Sequence, residues 1–376
     1  MLRGACVCGL VCVLAFAAPP TIRAQTVLSP AQVQAIDALY DAQIQAKAVP
    51  GLQLGVARGG RILHVQGYGR GTISPPASVH PDSTFLIGSL TKQFTAAAVL
   101  LLQRAGALSI DDRLSRYVPE YRHASEVTLR QMLNMVSGIP ADTVKAFNVN
   151  IETFQELDPG APFNTEIEIK RLNRLPLDFP PGTQFRYSDA AYWLLGIVIE
   201  RASHMPYDTF VTRRIFDVIG MPNSYFFQRR HDPREVHGYV LQATGGFAVR
   251  PDLRYAISFA AGAIVSNVSD LLRWDHAIRA NALLTPSDTT AMFAVPTLTH
   301  GAQTPYAMGW IHAQGFIWHN GGTFAFHSMN GLFPGDYDIV VLGNANTPTF
   351  SPEKLAVQTH NIVNPAHPVY GFGVSP

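Results

Sequence analysis

Strand-like segments lie near both ends of this chain of 376 residues, and helix-like segments lie between them. Residues 52–56 and 61–68 carry alternating apolar side chains on either side of Gly59-Gly60, a pattern typical of a β-hairpin. Four more strand-like runs come late in the sequence, at 306–311, 315–319, 326–332 and 338–342. The sequence therefore predicts an α+β fold, with a mainly antiparallel sheet built from both termini, flanking helices and a helical subdomain inserted at roughly 93–255.

Apolar residues recur at helical spacing in several segments, which predicts helices there. These segments are about 30–48, 90–105, 190–202, 207–219, 268–280 and 352–363. Residues 90–135 as a whole look helical, with Asp111-Asp112 and Thr128 as start signals. Residues 139–182 are rich in proline, asparagine and acidic side chains and have little periodicity, so we expect a long irregular segment there.

The first 24 residues have the composition of a secretory signal peptide. Arg3 precedes an apolar run from Leu10 to Ala18, Pro19-Pro20 interrupt that run, and Ala24 offers a cleavage point. The run is short for a membrane span, although an uncleaved anchor is the alternative. All three cysteines lie in this segment. We therefore expect a secreted or periplasmic protein whose mature domain, 25–376, has no disulfide and no stable membrane span.

The charge pattern excludes several function classes. Lys and Arg number 28 against 27 Asp and Glu, and no basic stretch is present, so nucleic-acid binding has no electrostatic support. The 13 histidines form no His-Glu-x-x-His motif or close His/Asp cluster, so neither a metal nor another cofactor is expected. The chain also lacks a Gly-x-Ser-x-Gly motif, which argues against an α/β-hydrolase.

The segment from Ser89 to Lys92 opens an apolar helical run. One interpretation is structural, because serine is a preferred N-cap residue. The other is chemical, because residues at i and i+3 share a helix face and the Lys92 amine can then reach the Ser89 hydroxyl. The free N–H groups at a helix start would also favour negative charge on oxygen.

Two later motifs could supply partners to this pair. Tyr187-Ser188-Asp189 precedes an apolar helix, where Asp189 could simply be an N-cap and Tyr187 a packed aromatic residue. His319-Asn320-Gly321-Gly322 lies between two strand-like runs, where Asn-Gly could simply form a hairpin turn.

Taken in order, these motifs resemble those of the serine β-lactamase-like family, which includes class C β-lactamases, D-Ala-D-Ala carboxypeptidases, D-aminopeptidases and related carboxylesterases. Its members typically carry Ser-x-x-Lys, then Tyr-x-Asn, then Lys-Thr-Gly or His-x-Gly. The resemblance spans roughly residues 30–345. It includes Phe85–Thr95, Leu108–Asp112, Tyr117–Glu120, Thr128–Pro140, Pro181–Thr183, Ile219–Met221, Ala261–Asp270 with Trp274, and Tyr306–Trp310.

The resemblance implies the β-lactamase/transpeptidase fold and covalent catalysis. Ser89 would attack a carbonyl group and form an acyl-enzyme, with Lys92 or Tyr187 as the base. The backbone N–H groups of Ser89 and Gly322 would form the oxyanion hole, and His319 would hydrogen-bond Tyr187 or the substrate. Substrate contacts are expected from three further residues: Asp189, Asn320 and Gly321.

Three positions depart from the family pattern. Asp189 replaces the usual asparagine, and a carboxylate there would raise the pKa of Lys92, which favours Tyr187 as the main base. Leu133–Gly138 lacks the usual histidine. His319 replaces the lysine of β-lactamases, and a neutral imidazole is a weaker anchor for a carboxylate, so efficient β-lactam hydrolysis is not expected.

We therefore predict an exported serine hydrolase that acts through Ser89 on a small-molecule or short-peptide amide or ester, as a peptidase, carboxypeptidase, amidohydrolase or esterase. Two alternatives stay open. One is a catalytically silent binding protein on the same scaffold, which the altered positions suggest. The other is an acyltransferase that uses an acceptor other than water. The sequence does not define the oligomeric state.

Overall fold

Two strands from opposite ends of the chain lie side by side at the centre of the fold. The computed structural model describes residues 27–140, 164–227, 232–249 and 255–375, so the predicted signal peptide lies outside the described residues. Strand β1 (Gly51–Arg58) pairs antiparallel with β13 (Tyr337–Gly343), placing Leu54 opposite Val341. The predicted sheet built from both termini is therefore confirmed.

Eight strands form the main sheet, in the order β3-β2-β1-β13-β12-β11-β10-β9, and every pair is antiparallel. Its other members are β2 (Arg61–Thr72), β3 (Ala77–Ser78), β9 (Tyr306–Ala307), β10 (Trp310–Ala313), β11 (Phe316–Gly322) and β12 (His327–Phe333). Two small sheets accompany it. One has three strands in the order β4 (Phe85–Leu86), β8 (Ile264–Ser266) and β5 (Tyr225–Phe226). The other is the hairpin of β6 (Tyr239–Leu241) and β7 (Phe247–Val249).

The helices lie on both faces of the main sheet. They are α1 (Pro30–Gln45), α2 (Thr91–Arg104), α3 (Leu129–Leu133), α4 (Thr165–Leu172), α5 (Asp189–Ser203), α6 (Tyr207–Val211), α7 (Asp217–Ile219), α8 (Tyr255–Gly262), α9 (Val268–Arg279), α10 (Pro286–Phe293) and α11 (Pro352–Val363). A π-helical turn, Thr212–Phe216, joins α6 to α7, and 3₁₀ turns occupy Gly88–Leu90 and Leu114–Arg116.

Strand β13 separates two apolar cores because successive side chains of a strand point to opposite faces. Ile339 and Val341 pack with α1 and α11 in the smaller core. Val340 and Leu342 pack in the larger core, which contains the fully buried side chains of α2 and α5. The larger core is therefore on the face that carries the Ser-x-x-Lys helix.

Most predicted elements are confirmed, with shifts of a few residues at their ends. The hairpin of β1 and β2 is present, and α11 has the predicted bounds. The predicted helical character of 90–135 is confirmed for α2 and for α3, which begins after its predicted start signal Thr128, and is wrong for most of the segment between them, where one 3₁₀ turn forms. Within 139–182, helix α4 interrupts the expected irregular segment, while 173–182 have neither helix nor strand, as predicted. Residues 141–163 lie outside the described residues.

No helix within the described residues is both long and apolar enough to cross a membrane.

Candidate active site

Ser89 lies in a 3₁₀ turn that leads directly into α2. Neither this turn nor α2 has a side-chain cap, so the interpretation of Ser89 as an N-cap residue is wrong. The turn is fixed from outside the helix, because Ile87 donates its backbone N–H to the Ile264 carbonyl at 3.0 Å. The Ser89 hydroxyl is therefore not used by the helix end and is available for chemistry.

The Lys92 amine makes three short contacts at the start of α2. Its Nζ lies 2.9 Å from Ser89 Oγ, 2.8 Å from the Ala261 carbonyl oxygen and 2.6 Å from Asp189 Oδ1. The Lys92 side chain is completely buried. It also lies over the Tyr187 ring, with Nζ 4.8 Å from the ring centroid. The predicted approach of Lys92 to Ser89 is confirmed.

Burial and the Asp189 carboxylate act on Lys92 in opposite directions. Burial lowers the Lys92 pKa because it disfavours the charged ammonium, and Asp189 counteracts part of that effect. The expected contribution of Asp189 is therefore present, but burial outweighs it and the net pKa is lowered. This result removes the argument against Lys92 as the base.

Helix α5 carries Asp189 at its first residue and Ser188 as its N-cap, so Asp189 is not the cap. The Ser188 hydroxyl accepts a hydrogen bond from the Ala191 N–H, and the Ser188 N–H points to Met135 Sδ at 3.2 Å. Met135 stands where the family usually has histidine, and its backbone is left-handed, with φ 59°. The thioether therefore supports the segment that presents Tyr187 and Asp189.

The Tyr187 side chain is partly buried, and its hydroxyl oxygen is buried close to Ser89. Its hydroxyl has no hydrogen-bond partner of standard geometry among the described residues. Burial, and secondarily the Asp189 charge, raises the Tyr187 pKa well above its usual value, while Ser89 partly counteracts this rise. The expectation that Tyr187 is the main base is therefore not supported in this state, because its neutral form is strongly favoured.

His319 is a neutral imidazole with both ring nitrogens occupied. Nδ1 faces the Asn320 carbonyl oxygen, which can only accept, so Nδ1 carries the proton. Nε2 must then accept from the Tyr306 hydroxyl, 3.1 Å away. Burial and the nearby Lys92 charge lower the His319 pKa to about 3. The predicted hydrogen bond from His319 to Tyr187 is replaced by the bond to Tyr306; the two rings lie 5.9 Å apart between centroids.

The segment His319–Gly322 is the end of strand β11, so its interpretation as a hairpin turn is wrong. Pairing of β11 with β10 stops at Trp318, which leaves one edge of this segment open. A Cβ on Gly321 would lie 1.9 Å from the Ile87 carbonyl oxygen, so only glycine permits this contact. This close approach brings Gly322 next to the turn that contains Ser89. The use of the backbone N–H groups of Ser89 and Gly322 as an oxyanion hole stays a prediction.

Asn320 points to the opposite face of the sheet. Its Nδ2 donates to Glu353 Oε1 of α11 at 2.9 Å, and His327 Nε2 lies 3.1 Å from the same oxygen. The position follows from strand alternation, since its neighbours His319 and Gly321 face Lys92 and Ile87. The predicted role of the Asn320 side chain in substrate binding is therefore not supported.

A buried polar network holds α2 against the sheet. Gln93 Oε1 accepts from Trp274 Nε1 at 2.9 Å and from Asn330 Nδ2 at 3.3 Å. The same Asn330 nitrogen donates to Asp275 Oδ1 at 2.7 Å. The network fixes the helical residue next to Lys92 and so limits movement of the amine.

The structure thus brings Ser89, Lys92, Tyr187 and Asp189 into one cluster, with His319 and Gly322 at its edge. Sequence reasoning missed the Ala261 carbonyl, Met135 and Tyr306 as members of the site. Ala261 and Tyr306 do lie in segments that resemble the family, but the resemblance gave them no role. Within the described ranges no group of three or more His, Cys, Asp or Glu side chains could hold a metal ion.

The chain is similar to proteins of several bacteria and an archaeon. It is 28% identical over 291 residues to penicillin-binding protein 4* of Bacillus subtilis, which covers 73% of this chain and 63% of that protein. The chain therefore spans less than two thirds of that relative. An octameric penicillin-binding protein homologue from Pyrococcus abyssi aligns with a TM-score of 0.75 at 23% identity, covering 88% of this chain and 76% of the other.

A D-amino acid amidase from Ochrobactrum anthropi SV3 aligns with a TM-score of 0.77 at 19% identity, covering 90% of this chain and all of the other. These structural likenesses agree with the β-lactamase/transpeptidase fold expected from the sequence. The family model described as Beta-lactamase matches residues 36–362. Because this match covers most of the chain and contains the whole cluster around Ser89, the protein belongs to the β-lactamase family.

Proposed function

We propose that this protein is a serine hydrolase that forms an acyl-enzyme on Ser89, with Lys92 as the base. One observation carries the proposal: the set of acceptors around Lys92 Nζ. A neutral amine has two N–H donors and one lone pair. The Ala261 carbonyl and the Asp189 carboxylate can only accept, so they take the two N–H groups. The lone pair is then directed at the remaining neighbour, the Ser89 hydroxyl.

In this mechanism the Ser89 proton moves to Lys92 as Oγ bonds to the substrate carbonyl carbon. The oxygen of the tetrahedral intermediate is then negative, and the N–H groups of Ser89 and Gly322 would stabilise it. Collapse breaks the bond to the leaving amine or alcohol, which receives the proton held by Lys92. Tyr187, a neutral phenol close to both Ser89 and Lys92, can pass this proton on. Water then attacks the acyl group and gives up one proton. This proton returns to Ser89 as the acid product leaves.

We propose small amides, short peptides and esters as substrates. The likeness to a D-amino acid amidase supports the amide class, and D-stereospecificity is the corresponding hypothesis. Efficient β-lactam hydrolysis is not proposed, because a neutral His319 stands where β-lactamases use a cationic lysine. Export as a secreted or periplasmic protein is part of the proposal; N-terminal sequencing of the processed protein after expression in a bacterial host would test it.

A fluorophosphonate probe tests the nucleophile directly. It should add one adduct to the protein, and Ser89→Ala should add none. Hydrolysis of a neutral p-nitrophenyl ester should fall at least about 10³-fold in both Ser89→Ala and Lys92→Ala. Lys170→Ala is the matched control, because Lys170 is an exposed lysine paired with Glu166.

Two outcomes would contradict the proposal. Absence of both labelling and turnover with several probe and ester classes would favour a catalytically silent binding protein. Acyl-enzyme formation followed by release only on addition of an amine or alcohol would instead favour an acyltransferase.

A further inference from the structure

We propose that the outer oxygen of Asp189 binds a substrate ammonium group, so that the preferred substrates are amides or esters of amino acids with a free α-amino group. The inference rests on the proposed hydrolase function and narrows its substrate class. It depends on which charged groups of the site are already engaged and which one is still accessible.

Asp189 has one engaged oxygen and an accessible side chain. Oδ1 contacts Lys92 Nζ at 2.6 Å, while 49% of the Asp189 side chain is exposed. Its partner Lys92 is completely buried, so this contact has one buried end and one exposed end. A carboxylate can accept hydrogen bonds at both oxygens, which leaves Oδ2 able to receive a donor from a ligand.

The position of Asp189 suits an amine close to the scissile carbonyl. Ser89 Oγ and Asp189 Oδ1 both contact the same nitrogen, Lys92 Nζ. A substrate carbonyl carbon bonded to Ser89 Oγ is therefore separated from the Asp189 carboxylate by the Lys92 amine. An α-ammonium group is two bonds from that carbon, so it can reach Asp189 without a long linker.

The basic side chains near Ser89 already have protein partners. All three hydrogen-bonding directions of Lys92 are occupied by protein atoms. His319 is neutral, and its nitrogens are bonded to Tyr306 and the Asn320 carbonyl. Arg186, next to Tyr187 in the chain, pairs with Asp178 at 3.0 Å.

Charge therefore discriminates between two kinds of substrate. A substrate with a carboxylate near the scissile bond would approach Asp189, and neither Lys92 nor His319 has a hydrogen-bonding direction left to bind that carboxylate. Like-charge approach is unfavourable. A substrate with an ammonium group would gain a charge-assisted hydrogen bond to Asp189. The site accordingly selects against free carboxylates and in favour of free amines.

The test compares three matched substrates: an aminoacyl p-nitroanilide, its N-acetyl derivative and an N-acyl amino acid with a free carboxylate, each in both enantiomers. For the wild-type protein, kcat/KM for the free amine should exceed that for the N-acetyl compound at least about 10-fold. Asp189→Asn should reduce this ratio at least about 10-fold, whatever its effect on the N-acetyl compound. Asp111→Asn, which alters the exposed pair of Asp111 with Arg130, should preserve the ratio.

The ratio separates recognition from chemistry, because any damage to Lys92 affects both substrates. A wild-type preference for the N-acetyl or the carboxylate substrate would overturn the inference, as would an unchanged ratio in Asp189→Asn. In both cases the fluorophosphonate adduct on Ser89 and ester turnover would persist. Loss of labelling and of all turnover would instead mean that the proposed hydrolase function itself fails.

Discussion

The Tyr306 hydroxyl donates its hydrogen bond to Nε2 of His319, at 3.1 Å, and this bond gives a partner to the unprotonated nitrogen of a buried imidazole. The donor on the other side of the ring, Nδ1–H, is bonded to the Asn320 carbonyl of the same strand. Tyr306 is itself buried and lies edge-on to Tyr187, with ring centroids 5.9 Å apart. The Tyr306 phenol and the His319 imidazole thus form one rigid side of the site.

Tyr306→Phe should leave Nε2 of His319 without its hydrogen-bond donor. The Nε2 lone pair would lose its donor, which favours the neutral ring, so the His319 pKa should rise from about 3. Unfolding should become easier by about 1–3 kcal/mol because a buried acceptor is left unsatisfied. Nitrogen NMR of the imidazole at neutral pH should show Nδ1 protonated in both proteins, because the Asn320 carbonyl is unchanged, and a shifted Nε2 signal in the variant.

Tyr40→Phe is the control for this variant. It removes a buried hydroxyl that contacts Thr359 Oγ1 at 3.0 Å in the smaller core, away from His319. It should change stability and leave the imidazole signals unchanged. Identical imidazole signals in Tyr306→Phe and wild type would contradict the assigned role of Tyr306.

Asp189→Asn should shift the acidic limb of the rate–pH profile to lower pH. The carboxylate raises the Lys92 pKa against the effect of burial, so its removal lowers that pKa further. The neutral amine, which is the active form, would then persist to lower pH. The measurement is kcat/KM against pH for a neutral ester, with Asp111→Asn as the control. A limb that stays in place would show that Asp189 does not act on the protonation of Lys92.

His319 should make the protein less stable in acid. Its folded pKa is about 3, below the unperturbed value of about 6.5, so the unfolded chain binds the additional proton. Stability is therefore lost as the pH falls below about 6.5, with a slope of up to about 1.4 kcal/mol per pH unit from this group. Urea unfolding between neutral pH and about pH 4 should show a smaller loss for His319→Gln than for wild type.

The exposed His300 provides the comparison, and His300→Gln should lose stability in parallel with wild type. Equal acid sensitivity of His319→Gln and wild type would mean that His319 is not held neutral by the fold.

Asp275→Asn should stabilise the protein at alkaline pH. Asp275 and Asp338 are buried, and each has an Oδ2 without a hydrogen-bond partner among the described residues. Burial and the Asp338 charge raise the Asp275 pKa well above its usual value, and burial raises that of Asp338 to about 6. Folded-state pKa values above the unfolded ones mean that stability is lost as the pH rises. The amide should remove part of that loss, so the variant's gain in Tm over wild type should grow from about pH 5 to about pH 8.

Asp270→Asn is the comparison in which both carboxylate oxygens have partners, while burial raises the Asp270 pKa as it does that of Asp275. Asp270 is also buried, but it accepts from the Asn223 N–H at 2.7 Å and the Ser224 hydroxyl at 3.0 Å, and it pairs with Arg273. Its substitution should lower Tm at both pH values. A lower Tm for Asp275→Asn at alkaline pH would show that Asp275 is needed as a carboxylate.

The main elements and the approach of Lys92 to Ser89 could be predicted because their signals are local. The alternation of residues 52–56 and the spacing of Ser89 and Lys92 each specify one periodic element. The antiparallel sheet followed from the order of those elements. The family resemblance then linked motifs that the sequence alone leaves far apart.

The interpretations that failed depend on tertiary context. Asn-Gly in residues 320–321 lies in a strand because Gly321 must pass close to the Ile87 carbonyl. The direction of the Lys92 pKa depends on complete burial, which no local pattern reveals. Ala261 is distant in sequence from Lys92, and Tyr306 from Ser89. Their contacts in the site therefore could not be predicted from residue spacing.

The pairing of β1 with β13 also has a consequence for biosynthesis. Ser89 and Lys92 leave the ribosome well before His319 and the strand that completes the central sheet. Contacts between such distant segments form slowly and late. A nascent chain therefore contains Ser89 before His319 and the central sheet are in place. Ser89 should stay unreactive toward acylating probes until β13 has been added.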